Sequence, residues 1–143
     1  MVFPPPAAAT LIDDSYNANP DSLAAAIEVL TAGTGQAWLV LGDMAELGDA
    51  TDKRHAEAGR LARKAGVRRL FTIGRHSALA AGAFGDGARH YEEREALVRD
   101  VADGLSADVT VLVKGSRSAG MEQVVEALIC NDAAEPAGAG VGC

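Results

Sequence analysis

Aromatic side chains are scarce in this sequence: one Trp, two Tyr and three Phe, 4% of the chain. A core must therefore be built from Ala, Leu, Val and Ile. There is material for one, since 48% of the 143 residues are hydrophobic. Cysteine is nearly missing. Cys130 and Cys143 have no framework spacing, which excludes a disulfide-built miniprotein and reads as free thiols in a reducing compartment. A zinc site needs about four ligands; these cysteines and the scattered His55, His76 and His90 offer no such spacing, so no metal site is expected. No apolar run approaches the roughly 20 residues of a membrane span. Positive charge is short as well: 13 Lys and Arg against 20 Asp and Glu leave a net charge of −7. A phosphate-backbone binder shows a basic face, whereas Lys53-Arg54, Arg63-Lys64 and Arg68-Arg69 are short and read as solvated helix faces or ends. Nucleic acid is not an expected partner. The start, Met1 to Pro6, has no basic region and is too proline-broken for a signal peptide, so a cytoplasmic location is expected.

What is present is a regular alternation of strand and helix signals. The length suits one domain, expected over 10–131. Before it, 1–9 is Pro/Ala-rich and reads as a linker or an expression remnant; after it, 132–143 is mostly Ala and Gly and is expected to be a flexible tail. Thr10-Leu11-Ile12 reads as a short buried strand. Asn19 caps a helix with Pro20 at its first position and Leu23, Ile27 and Leu30 on one face. Ala37 to Leu41 is a continuous apolar run, the mark of a strand covered on both faces. A helix from about Thr51 to Ala65 stops at Gly66. Leu70 to Ile73 is a strand, Ser77 to Ala83 a small helix, and Arg89 to Tyr91 a short strand. Glu92 to Leu105 is an amphipathic helix, Val109 to Val113 a further strand, and a last helix runs from near Ala119 to near Ile129. This grammar predicts an α/β fold with a doubly wound, mainly parallel sheet flanked by helices.

Ligands in such sheets sit at the carboxyl ends of strands. That points to the loops Asp13–Asn19, Gly42–Thr51, Gly74–His76 and Lys114–Gly120. The first offers carboxylates and amides that suit ribose hydroxyls, although plain turn and cap chemistry uses the same residues. The second places Asp43 and Glu46 between Gly42 and Gly48, where they could receive an ammonium group or simply lie on an acidic surface loop. His55 could touch a ligand or serve as a hydrogen-bonded structural residue. The fourth loop is the sharpest signal. Lys114, Ser116, Arg117 and Ser118 stand between an apolar strand and a helix start, which favours an anion. Arg117, or Lys114, could grip a carboxylate. Gly-x-x-x-x-Gly-Lys-[Ser/Thr] occurs nowhere, nor does a Ser/His/Asp set, so no catalytic residue is expected.

Asp13-Asp14-Ser15-Tyr16-Asn17-Ala18-Asn19-Pro20-Asp21-Ser22, Leu41-Gly42-Asp43-Met44-Ala45-Glu46-Leu47-Gly48, His55-Ala56-Glu57-Ala58-Gly59 and Val113-Lys114-Gly115-Ser116-Arg117-Ser118 follow one another at suitable intervals. Together they resemble the C-terminal domain of the Mur ligase family over roughly Leu11 to Ile129. Ala119 departs from the bulkier Met often found there. The resemblance implies a Rossmann-like domain of a three-domain cytoplasmic bacterial enzyme of peptidoglycan synthesis. It implies ATP and Mg held mainly by a central P-loop domain, and a monomeric ligase joining D-Ala-D-Ala to UDP-MurNAc-tripeptide through an acyl phosphate. By the same resemblance, Asp14 contacts the ATP ribose, with Tyr16, Asn17 and Asn19 lining the nucleotide. Asp43, Met44, Glu46, Leu47, His55, Lys114, Ser116, Arg117 and Ser118 are the walls for D-Ala-D-Ala. The isolated domain would be inactive. The alternative is a stand-alone, non-catalytic small-molecule-binding module on the same fold.

Overall fold

The computed structural model describes residues 2–3, 9–15, 18–45 and 47–133, with side chains at 9–15, 18–45 and 47–129. The strands are β1 (Val2–Phe3), β2 (Thr10–Asp14), β3 (Gln36–Leu41), β4 (Arg69–Ile73), β5 (Ala88–Tyr91) and β6 (Val109–Lys114). The helices are α1 (Pro20–Thr31), α2 (Thr51–Ala65), α3 (Ser77–Phe84), α4 (Arg94–Gly104) and α5 (Glu122–Ala133). The sheet order is β1-β2-β6-β3-β4-β5. β1 runs antiparallel to β2, and all other neighbours are parallel. The doubly wound α/β reading therefore holds.

Local chemistry explains the elements. The Asn19 side chain accepts the Ser22 N–H at 2.9 Å, and the Ser22 hydroxyl accepts the Asn19 N–H at 3.1 Å. This reciprocal cap, with Pro20 behind it, starts α1. Successive β3 residues alternate between two cores. Trp38 and Val40 face α4 and α5, packing with Leu97, Val101, Val124 and Leu128. Ala37, Leu39 and Leu41 face α1, α2 and α3, packing with Leu23, Ile27, Ala62 and Phe84. The few aromatics are concentrated on the first of these faces. Trp38, Phe71 and Tyr91 form a row across β3, β4 and β5, with centroids 5.4 and 6.4 Å apart, and the Arg69 guanidinium lies 4.7 Å from the first two rings.

The boundaries differ from expectation at both ends. The segment expected as a linker begins with Val2 and Phe3 paired to Ile12 and Leu11. The last helix begins at Glu122 after a 3-10 turn, Arg117–Ala119, and continues to Ala133. The expected tail from 134 onward, and the thiols of Cys130 and Cys143, lie outside the described structure.

Topology sets the place for ligands. The chain leaves β2, β3 and β4 towards the face covered by α1 to α3. It leaves β5 and β6 towards the face covered by α4 and α5. The exits thus diverge on either side of β6, opening crevices at the carboxyl edge beside it.

Candidate functional site

The last residues of β2 and β6, Asp14 and Lys114, are register partners. Lys114 Nζ donates to Asp14 Oδ2 at 2.7 Å, with the Lys114 side chain wholly buried and that of Asp14 29% exposed. Beside them, Asp13 Oδ1 accepts the Ser15 N–H at 3.0 Å. This shapes the exit of β2 into the first loop.

The exits of β3 and β6 are tied to each other. The Gly42 N–H donates to the Lys114 carbonyl at 2.8 Å, and the Ser116 N–H donates to the Asp43 carbonyl at 3.0 Å. The two strands approach closely because Gly42 and Gly115 face one another over Met121. A Cβ on Gly42 would stand 2.6 Å from the Met121 sulfur, and one on Gly115 would stand 2.4 Å from its Cγ. The Asp43 carboxylate reaches across to the loop after β4, accepting the Ser77 N–H at 2.8 Å and the His76 N–H at 3.2 Å. A cavity of about 110 Å³ lies beside it, bounded by Asp43, Ile73, Gly74, Arg94, Ala119, Gly120, Met121 and Val124.

The residues expected to form the site divide into several groups. Asp14, Asp43, Lys114, Ser116, Arg117 and Ser118 gather at the carboxyl edge. Arg117 and Ser118 are exposed there, and the Ser116 and Ser118 hydroxyls lie 3.1 Å apart. Among the described residues the Arg117 guanidinium makes no hydrogen bond or ion pair, while its carbonyl accepts the Gly120 N–H at 3.3 Å, so the exposed cation is available to an anion. His55 and Met44 are not at the surface. His55 is 0% exposed; its Nε2 accepts the Met44 N–H at 2.9 Å and its Nδ1 donates to the Thr51 carbonyl at 2.7 Å. With both ring nitrogens on backbone partners, His55 clamps the loop from beneath and forms no wall. Lys114 is likewise buried, with its ammonium donating to Asp14 at 2.7 Å inside the sheet. Asn19 spends its side-chain oxygen on the α1 cap, and Leu47 is half-buried. Tyr16, Asn17 and Glu46 lie outside the described residues. Sequence reasoning missed Arg94, whose segment looks like any charged helix start. Among the described residues no group of three or more His, Cys, Asp or Glu gathers that could hold a metal ion.

The model of the Mur ligase, glutamate ligase domain matches residues 4–117. The chain belongs to the Mur ligase family. This Mur ligase domain is 43% identical over 120 residues to the UDP-N-acetylmuramoyl-tripeptide–D-alanyl-D-alanine ligase of Escherichia coli K12, covering 82% of the chain and 26% of that protein. It is 39% identical over 150 residues to the ligase of the same name from Mycobacterium bovis, covering 86% of the chain and 29% of that protein. The domain thus spans well under a third of the curated relatives' length. Among solved structures, MurF from Acinetobacter baumannii superposes with a TM-score of 0.76 at 28% identity, over 85% of this domain and 27% of that chain. The MurF ligase from Thermotoga maritima in complex with ADP shares the fold at a TM-score of 0.81 and 23% identity, over 90% and 30% of the two chains. Among the described residues no helix is long and apolar enough to cross a membrane.

Proposed function

We propose that this domain is the C-terminal part of a bacterial, cytoplasmic, monomeric ligase that joins D-Ala-D-Ala to UDP-MurNAc-tripeptide at the expense of ATP. The observation that carries the reading is the convergence of the loops after β2, β3, β4 and β6 on one edge of the sheet, with the cation of Arg117 exposed there. In the proposed reaction the peptide's terminal carboxylate takes a phosphoryl group from ATP. The dipeptide amine attacks the acyl phosphate, the peptide bond forms and phosphate leaves. ATP and Mg are held mainly by a central domain outside this chain, and this domain closes over them.

Within it, Asp14 accepts hydrogen bonds from the ATP ribose. Its Oδ2 is on Lys114, and Oδ1 takes part in no hydrogen bond among the described residues, so the partly exposed carboxylate retains accepting capacity. Arg117, exposed at the turn after β6, takes the dipeptide carboxylate through paired bonds. The attacking nitrogen must be neutral when it reacts, so no acid of the site holds its proton permanently. The domain supplies position and charge complementarity, which is what phosphoryl and acyl transfer of this kind need.

The test uses the complete ligase that carries this domain. D-Ala-D-Ala-dependent phosphate release is expected from it, and none from the 143-residue chain alone. Asp14→Ala, with the fold verified by circular dichroism, lowers kcat/KM for ATP by roughly ten- to a hundredfold, the worth of a bond to a charged group. Arg117→Ala raises the KM for D-Ala-D-Ala and erases the preference for the free acid over its C-terminal amide. A preference unchanged in Arg117→Ala would remove the carboxylate from this turn. A complete protein that binds both ligands without releasing phosphate would make it a binding module.

A further inference from the structure

Helix α3 has no cap of its own. Its N-cap residue, His76, makes no side-chain cap bond, and a helix this short needs its first N–H groups satisfied. The missing acceptor comes from the loop after β3, more than 30 residues away in sequence. Asp43 Oδ1 takes the Ser77 N–H and Oδ2 takes the His76 N–H. The negative carboxylate also complements the positive end of the helix. The chain makes room for this contact at Gly74, whose φ is +107°. A Cβ there would stand 2.5 Å from Asp43 Oδ1 and 2.7 Å from its Cγ. The glycine is therefore required twice, by its left-handed backbone and by the approach of the carboxylate.

The turn after β6 lacks a side-chain cap too. Ser116 precedes the 3-10 turn Arg117–Ala119 without a side-chain cap bond, and its N–H goes to the Asp43 carbonyl. One residue thus holds both neighbours: its carboxylate holds the start of α3, and its carbonyl holds the turn that carries Arg117. These are also opposing walls of the 110 Å³ cavity, Gly74 and Ile73 on one side and Ala119, Gly120 and Met121 on the other.

We propose that Asp43 is a positioning residue for the amino substrate. It fixes the Arg117 turn against the β4 loop, and so sets the geometry in which the dipeptide carboxylate meets the guanidinium. The inference rests on the reading of D-Ala-D-Ala as the ligand of this edge. It replaces a direct role for Asp43 as the acceptor of the dipeptide ammonium, since both carboxylate oxygens already serve backbone N–H groups. Removing the side chain leaves the Asp43 carbonyl in place but frees the loop that presents it.

The two roles separate by substitution in the complete ligase. Asn carries no charge and keeps one acceptor oxygen, enough for the Ser77 N–H, but its amide nitrogen cannot accept the His76 N–H. A positioning role predicts that Asp43→Ala raises the KM for D-Ala-D-Ala about tenfold while Asp43→Asn, which keeps one of the two bonds, falls between Asp43→Ala and wild type, the span expected when a cap is removed or half kept. The KM for ATP moves less than that for D-Ala-D-Ala in both, because the Asp43 carboxylate holds the start of α3 whereas Asp14 pairs with Lys114. Gly74→Ala, which pushes the carboxylate away without altering it, reproduces the Asp43→Ala pattern. An Asn variant as impaired as the Ala variant, with Gly74→Ala near wild type, would show the charge contacting substrate and overturn the proposal. An unchanged dipeptide KM in Asp43→Ala would also overturn it. Amide hydrogen exchange on the 143-residue chain tests the hold without the substrate reading. In Asp43→Ala the Ser77 and Ser116 amides exchange about tenfold faster or more, as expected for local opening, with Leu112 and Val113 unchanged. Unaltered exchange at Ser77 and Ser116 sinks the proposal. A wild-type ligase with no D-Ala-D-Ala-dependent phosphate release sinks the substrate reading instead, and the exchange result still decides whether Asp43 holds the two turns.

Discussion

Removing Asp14 should cost the domain about 3 kcal/mol, considerably more than removing the lysine it pairs with. The asymmetry follows from burial. Lys114 has no side-chain exposure, whereas 29% of the Asp14 side chain reaches solvent. Asp14→Ala takes from a fully buried ammonium the carboxylate that stands 2.7 Å from it. Breaking a buried pair from one side costs about 3–5 kcal/mol, and the lower end applies where the deleted group was partly hydrated. Lys114→Met leaves a carboxylate that water can already reach and fills the lysine's path with apolar atoms, so its cost is about 1 kcal/mol. The double variant has neither charge and should lie within about 1 kcal/mol of wild type, giving a strong coupling in a double-mutant cycle. Urea unfolding of the chain reads this through Trp38, the one tryptophan, which is 3% exposed. With a slope of about 2 kcal/mol per molar urea, Asp14→Ala lowers the midpoint by about 1.5 M. Single variants with equal costs that simply add in the double variant would refute the reasoning, because they would mean the buried ammonium is equally content without its partner.

The remaining expectations concern stability. Tyr91 Oη donates to Asp100 Oδ2 at 2.6 Å, and burial first, then that bond and the Asp100 charge, push its phenol up to about 12. The folded state then keeps a proton that the unfolded chain loses near pH 10. Stability from this group is complete below about pH 10 and falls as pH rises towards 12, and urea midpoints across that window should lose this slope in Tyr91→Phe. His55→Leu orphans the Met44 N–H and removes a second donor from the Thr51 carbonyl, which keeps its place in the α2 ladder, and should cost about 2 kcal/mol, a fall in Tm of about 6 °C by calorimetry. Gly59→Ala and Gly82→Ala should move in opposite directions. A Cβ on Gly59 would lie 2.1 Å from the Ala80 carbonyl oxygen, which costs about 3 kcal/mol or more, whereas Gly82 has open space and gains about 0.5–1 kcal/mol from the better helix former. Thermal melts that leave Gly59→Ala near wild type would contradict the close approach of α2 to α3.

Features decided by neighbours in sequence were legible from it. The Asn19-Pro20 helix start, the Gly66 stop and the doubly buried run from Ala37 to Leu41 depend on local capping and on uninterrupted apolar character, and the structure has them in place. The convergence of the loops was legible too, because alternating strands and helices leave few topologies open. What was hidden is what distant residues do to one another. Lys114 looked like an anion binder beside Arg117, yet its partner is Asp14, 100 residues away. Asp43 looked like an exposed acid, and its partners are N–H groups of a helix in another loop. His55 was left between ligand and structural roles, and only the tertiary position of the Met44 amide assigns it to the second. β1 is two residues long, too short to show a period.

The position of β6 has a consequence in time. The last described strand, β6, lies between β2 and β3, in register with Thr10 to Asp14 on one side and Gln36 to Leu41 on the other. Among the described residues β2 has no other parallel partner, so until β6 arrives the β1–β2 ribbon has no ladder to the β3–β5 portion. A nascent chain that has reached residue 108 therefore carries two unjoined parts, with the apolar edges of β2 and β3 both unpaired. Pairings of such long sequence separation are slow to form, and unpaired strand edges invite association with other chains. On a ribosome, this domain can complete its sheet only after Lys114 has left the exit tunnel, which gives chaperones that shield strand edges a defined interval in which to act.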